Sequence, residues 1–191
     1  MTTTTQTPSR SIPWRLIGWG AVTTILALPA LAMAFDWRFD EEPVNWGPED
    51  FMVMGLLLGG SGFAIELGAR FSKKGPYRWG MAIAVIGALL MVWANLAVGI
   101  IGSEENPANA MFGGVLAVGL LGALLARFKP KGMEWAMVAT AVAQLAVGVI
   151  AWVGGNPIPV FTLVYIGIWM ASGHLFGKAD KTSARSQALV R

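Results

Sequence analysis

The side chains able to do chemistry in this chain are few, and most stand beside long apolar runs. The densest group lies in Trp93–Asn109, WANLAVGIIGSEENPAN, which holds the amide of Asn95, the carboxylates Glu104 and Glu105, and the amides Asn106 and Asn109. Two adjacent carboxylates flanked by amides could gather a cation or meet a basic partner. A solvated acidic turn is the plainer reading, because carboxylates at a helix start are favoured by its dipole. Asn106 before Pro107 likewise reads as an N-cap followed by Pro at the first helical position, where no hydrogen-bond donor is lost.

Three further residues stand out. Glu66 is the only acid well inside an apolar run, and an acid within a membrane is a functional candidate by default. It precedes Arg70 by four residues, the favourable order for a helical ion pair, so proton relay and structural pairing both fit. Gln144 sits inside a later apolar run, in a pentapeptide (Gln-Leu-Ala-Val-Gly) that copies Asn95-Leu-Ala-Val-Gly99. A carboxamide there either bonds to another helix or lines a polar cavity. His174 is the sole histidine, and with no partner visible it reads as a hydrogen-bonded side chain near a membrane face rather than a ligand.

Much chemistry is excluded. The chain has no cysteine, hence no disulfide, thiolate metal site or thiol nucleophile. No phosphate loop, nucleophile elbow or zinc-spaced ligand set occurs. An enzyme is not expected, and neither a cofactor nor a metal is called for. The net charge of +3 does not signal nucleic acid, because the basic residues lie in short loops beside apolar runs, where membrane topology explains them.

These residues must be positioned by membrane-spanning helices. The 191 residues are 55% hydrophobic and 13% charged, about half the charge of an ordinary soluble domain, and the mean hydropathy is +0.58. Runs of roughly 20 apolar residues, enough to cross ~30 Å of hydrocarbon, recur along the chain. They predict an all-α integral membrane bundle of six transmembrane helices, at about 13–35, 49–71, 77–101, 107–128, 133–153 and 158–176. A disordered tail (1–12) precedes this transmembrane domain (13–177), and a frayed basic tail (178–191) follows it. Ala32-Met33-Ala34 resembles a signal-peptidase site, but the apolar run before it is long, and a retained first helix is expected. With both termini cytoplasmic, every one of the 14 Lys and Arg except Arg38 falls on the cytoplasmic side, as the positive-inside rule requires of short loops.

An internal repeat is suggested by the copied pentapeptides, by Asn106-Pro107 and Asn156-Pro157, and by Ala69-Arg70-Phe71 echoed at Ala126-Arg127-Phe128. It would arrange the spans as three tandem helical hairpins. Among nine Trp, Trp14, Trp37, Trp46, Trp79 and Trp135 suit an interfacial belt. Trp93, Trp152 and Trp169 lie deeper, where they pack in the core or against a flat cofactor.

Asn-Pro-Ala at 106–108 resembles the half-helix cap of the aquaporins, but the likeness ends with those three residues, since the second copy reads Asn156-Pro157-Ile158. More broadly, VGIIGSEENPANAMF, with GFAIELGAR before it and LARFKPKGM after it, resembles an uncharacterised family of small bacterial inner-membrane proteins. That resemblance implies the bacterial cytoplasmic membrane and no activity. The expected role is a non-catalytic accessory, assembly or stabilising subunit of a larger membrane complex, with lipid and other membrane subunits, or further copies of itself, as partners. The alternative is a small-solute, ion or proton transporter or channel.

Overall fold

The computed structural model describes residues 14–39, 42–103 and 105–188. Six α-helices carry the chain: α1 (Trp14–Ala34), α2 (Pro48–Phe71), α3 (Gly75–Ala97), α4 (Met111–Leu125), α5 (Pro130–Val153) and α6 (Pro159–Ala188). A 3-10 turn, Pro107–Ala110, precedes α4. Among the described residues there is also one two-residue antiparallel pair, β1 (Arg38–Phe39) with β2 (Glu42–Pro43). Among the described residues five helical segments are long and apolar enough to cross a membrane, namely Pro48–Phe71, Gly75–Ala97, Pro107–Leu125, Pro130–Val153 and Pro159–Thr182. α1 contributes a shorter apolar stretch, Gly18–Ala34.

Proline marks the starts. Pro48, Pro107, Pro130 and Pro159 each open an element, and Pro76 stands in the first turn of α3. Its fixed φ suits a first turn, and the N–H it lacks would have had no helical partner. The ends are set by left-handed backbone: Gly99 after α3, Gly155 after α5, and the non-glycine pair Arg127 and Phe128 after α4.

Two boundaries differ most from the sequence reading. α3 stops at Ala97 rather than near 101, because Gly99 and Gly102 take positive φ values of 68° and 70° and the N–H groups of Ile100 and Ile101 donate to a side chain instead of to a helical carbonyl. α6 does not fray after 176 but runs to Ala188. No proline interrupts it, Ala179 is buried, and the Lys74 ammonium donates to the Ala179 carbonyl at 3.2 Å.

The chain divides into two compact units, Met1–Gly62 and Phe63–Arg191. Within the first, the Thr23 and Thr24 hydroxyls donate to the carbonyls of Trp19 and Gly20 one turn back, satisfying polar groups inside their own helix. The Trp19 ring lies against Gly62. At the start of α2 the Gly47 N–H donates to Asp50 Oδ2 at 2.8 Å, and Trp46 meets Phe51 edge-on.

In the second unit α5 packs on both α4 and α6, and α3 packs on α6. α3 and α4 are consecutive, yet they barely touch. Of the three hairpins expected, α5 with α6 is closely packed, and α4 packs on α5 although the expected pairing separates them. Small residues set the seams. A Cβ on Gly122 would stand 2.8 Å from that of Ala136, and one on Gly148 would run into Thr162. Gly122→Ala should therefore part α4 from α5 and cost about 1 kcal/mol. Gly113→Ala, where an added Cβ meets nothing within 4 Å, should gain up to about 1 kcal/mol from helix propensity. Thermal unfolding in detergent checks the opposite signs.

Candidate functional site

Asn109 organises one end of the second unit. Its side chain, 5% exposed, accepts at Oδ1 from the backbone N–H of Ile100 (3.0 Å) and Ile101 (2.8 Å), and donates from Nδ2 to the carbonyls of Ser103 (2.7 Å) and Ile101 (3.4 Å). A carboxamide offers two donors and two acceptor lone pairs, and all four are used on the loop after α3. Asn95 adds a tie, donating from Nδ2 to the Asn109 carbonyl at 3.2 Å. Asn106 accepts the Ala108 N–H at 3.0 Å, an N-cap as read from the sequence. Three of the singled-out amides thus meet, and their arrangement is that of a staple holding a loop shut.

The other candidates do not join them. Glu66 lies on α2 with Arg70 Nη2 at 3.4 Å from its Oε1. Glu105 is exposed, and Glu104 lies outside the described residues. His174 is exposed on α6. Among the described residues no group of three or more His, Cys, Asp or Glu is placed to hold a metal.

Gln144 and Asn95 do not share a depth. Asn95 is two residues from the end of α3, whereas α5 continues nine residues past Gln144. The matched Ala-Arg-Phe triplets are 57 residues apart and the matched pentapeptides 49, so the two halves of the suggested repeat slip out of register between the turn and the helix. Gln144 is fully buried, and among the described residues neither amide atom has a hydrogen-bond partner. The Thr162 hydroxyl and the Trp169 indole N–H, both buried, are in the same condition. Of the three deeper tryptophans only Trp169 is inside, at 2% exposure; Trp93 and Trp152 face outward.

A chamber of about 720 Å³ lies between the last part of α2, α3 and α4, floored by α5 and α6. Ala88 and Gly113 stand on facing walls, Trp169 and Thr140 reach it from the floor, and Phe71 and Phe128 close one end. The Thr140 hydroxyl donates to the Ala136 carbonyl at 2.8 Å, and apart from it and the indole the lining carries no polar side chain. The volume falls in the range of small-molecule pockets.

The turn at that end is strained. Arg127 and Phe128 have φ of 48° and 57°, and each non-glycine residue held there costs ~1–2 kcal/mol. The Tyr77 hydroxyl donates to the Phe128 carbonyl at 2.8 Å, the Phe128 N–H donates to the Ala123 carbonyl at 3.1 Å, and the Phe128 ring stacks on Phe71 at 4.5 Å and 8°. The sequence reading passed over Tyr77, Phe71 and Phe128 as functional residues. A signal was present in the repeated Ala-Arg-Phe triplets, whose two phenylalanines form this stacked pair.

Comparison with protein-family models, with curated proteins and with solved structures finds no match.

Proposed function

We propose that the protein is a non-catalytic bundle of six transmembrane helices in the bacterial cytoplasmic membrane, with both termini cytoplasmic, acting as an accessory, assembly or stabilising subunit of a larger membrane complex. One observation carries the reading. Four of the polar residues that sequence marks for chemistry hold backbone and helix ends in place, in the Asn95–Asn106–Asn109 staple and the Glu66–Arg70 pair, and the marked residues line no common cavity. The resemblance carried by the Val98–Phe112 loop supports the membrane assigned.

Extraction of tagged protein in mild detergent, followed by size analysis and mass spectrometry, tests the role. Stoichiometric co-migration with other membrane polypeptides is the expected result. A self-contained monomer or homo-oligomer would overturn it. A transporter is the second reading, favoured by the unpartnered carboxamide of Gln144 deep in the second unit. Solute or proton flux into liposomes holding the purified protein, abolished by Gln144→Leu, would establish it in place of the first.

The absence of native cysteine makes the orientation directly testable. Single cysteines at Glu105 and Asn156 should react with a membrane-impermeant maleimide added to intact cells. Cysteines at Lys73 and Lys129 should react only after the membrane is opened. The reverse pattern would refute the assigned orientation, and labelling of all four would refute the topology.

A further inference from the structure

We propose that the chamber between α3 and α4 holds one anionic phospholipid, an acyl chain inside it and the phosphate against the basic turns that follow Phe71 and Leu125. The proposal goes beyond the subunit role and is independent of it.

The lining decides what kind of molecule fits. A buried water needs two to four polar partners, and this chamber offers one committed hydroxyl and one indole N–H. The space of about 720 Å³ is partly open and bounded by apolar side chains, so it suits hydrocarbon rather than water. Its extent fits one leaflet. From Phe63 to Phe71 the α2 wall runs about 12 Å at 1.5 Å per residue, close to half of a ~30 Å hydrocarbon core.

Charge selects the headgroup. The aromatic end of the chamber, Phe71 and Phe128, is flanked in sequence by Arg70, Lys73 and Lys74 on one side and Arg127, Lys129 and Lys131 on the other. The acids nearest in sequence are Glu66 and Glu134, and these face Arg70 and Lys131 respectively, the latter at 2.8 Å. Lys73, Arg127 and Lys129 are exposed, and among the described residues none pairs with a carboxylate. Basic clefts at the ends of transmembrane helices bind anionic headgroups.

The strained turn is the second, independent sign. Left-handed backbone at two consecutive non-glycine residues persists where surroundings over-determine it, and such strain clusters at ligand clamps. Here it sets the Phe128 ring in the chamber wall while Arg127, its neighbour, stays exposed.

The test is native mass spectrometry of full-length protein, stripped by extended detergent washing and then offered phosphatidylglycerol or phosphatidylcholine with identical chains. Wild type should retain one phosphatidylglycerol, with a preference over phosphatidylcholine of about tenfold or more, given the attraction of several basic residues to one headgroup. Gly113→Phe, which enters open space in the chamber, should abolish retention of either lipid. The triple variant K73Q/R127Q/K129Q alters only exposed side chains and should bind both lipids equally, which keeps the test decisive if the Phe variant does not fold. Equal retention of the two lipids by wild type, or undiminished binding by a folded Gly113→Phe, would each overturn the proposal.

Discussion

Asn109→Ala lowers stability by about 3 kcal/mol, the largest loss expected from any single polar substitution here. The estimate follows from what the change strands: the N–H groups of Ile100 and Ile101 and the Ser103 carbonyl lose their partner together, and each buried group left unmet costs ~1–3 kcal/mol. Ile101 is itself buried at 1% exposure, so water does not readily replace the lost acceptor. Asn106→Ala removes one cap bond and should cost about 1 kcal/mol. Asn95→Ala removes a single bond to a carbonyl, and a comparable or smaller effect is expected, since interhelical side-chain bonds in membranes average ~0.6 kcal/mol. Reversible unfolding in mixed micelles ranks the three. If Asn109→Ala unfolds within error of Asn106→Ala, the four-bond staple is not what holds the loop. Because the loop joins α3 to α4, its loss should also free the end of α3, read as faster hydrogen exchange at Ile100 and Ile101.

Gln144→Met stabilises the protein by about 2 kcal/mol. Burying an amide without a hydrogen bond costs ~1–3 kcal/mol by mutational measures, and both amide atoms of Gln144 lack a partner in a fully buried side chain. Methionine has nearly the same length and volume, so the packing around this α5 position is kept while the unmet polar groups disappear. The sign is the informative part. A loss of 1 kcal/mol or more would mean that the carboxamide is bonded to a bound ligand or solute in the working protein, and would move the weight of interpretation toward transport. A gain with function unchanged would mark Gln144 as tolerated rather than used. Thr162→Val probes the neighbouring unmet hydroxyl and should shift stability in the same direction.

Legibility from sequence tracked locality. The helices of the second to sixth runs were readable from hydropathy, and two starts from Pro48 and Pro107, because a proline acts within one turn of itself. The sequence reading places Pro76 and Pro130 in the turns and opens the last run at 158, whereas the helices start at Gly75, Pro130 and Pro159. The Asn106 cap was readable for the same reason: the bond reaches two residues. The end of α3 was not, since what stops it near Ala97 is Asn109, twelve residues away, claiming the next N–H groups. The end of α6 was misjudged because a polar composition reads as a tail, while burial of Ala179 and the Lys74 bond arrive from another helix. Among the candidate residues, Asn95, Asn106 and Asn109 were found as a cluster, but their purpose was visible only in the bonds. The equivalence of Asn95 with Gln144 came from five matching letters, and helix length separates them.

The sequence by itself determined that the chain is helical and apolar enough to cross a membrane repeatedly, where most of its helices begin, and how basic and acidic turns alternate between their ends. These are properties of single segments, set by the mismatch between backbone polarity and hydrocarbon. Only the tertiary structure decided that α3 and α4, though consecutive, pack mainly on different helices, α6 and α5, that Phe71 and Phe128 stack at one end of the chamber between them, and that Gln144 is buried unmet. Lipid tails are as apolar as leucine, so hydropathy carries almost no information about which helical face meets protein and which meets the bilayer. That choice rests on the fit of small residues such as Gly122 against Ala136 and Gly148 against Thr162, and fit is a property of pairs of helices rather than of the segments that form them.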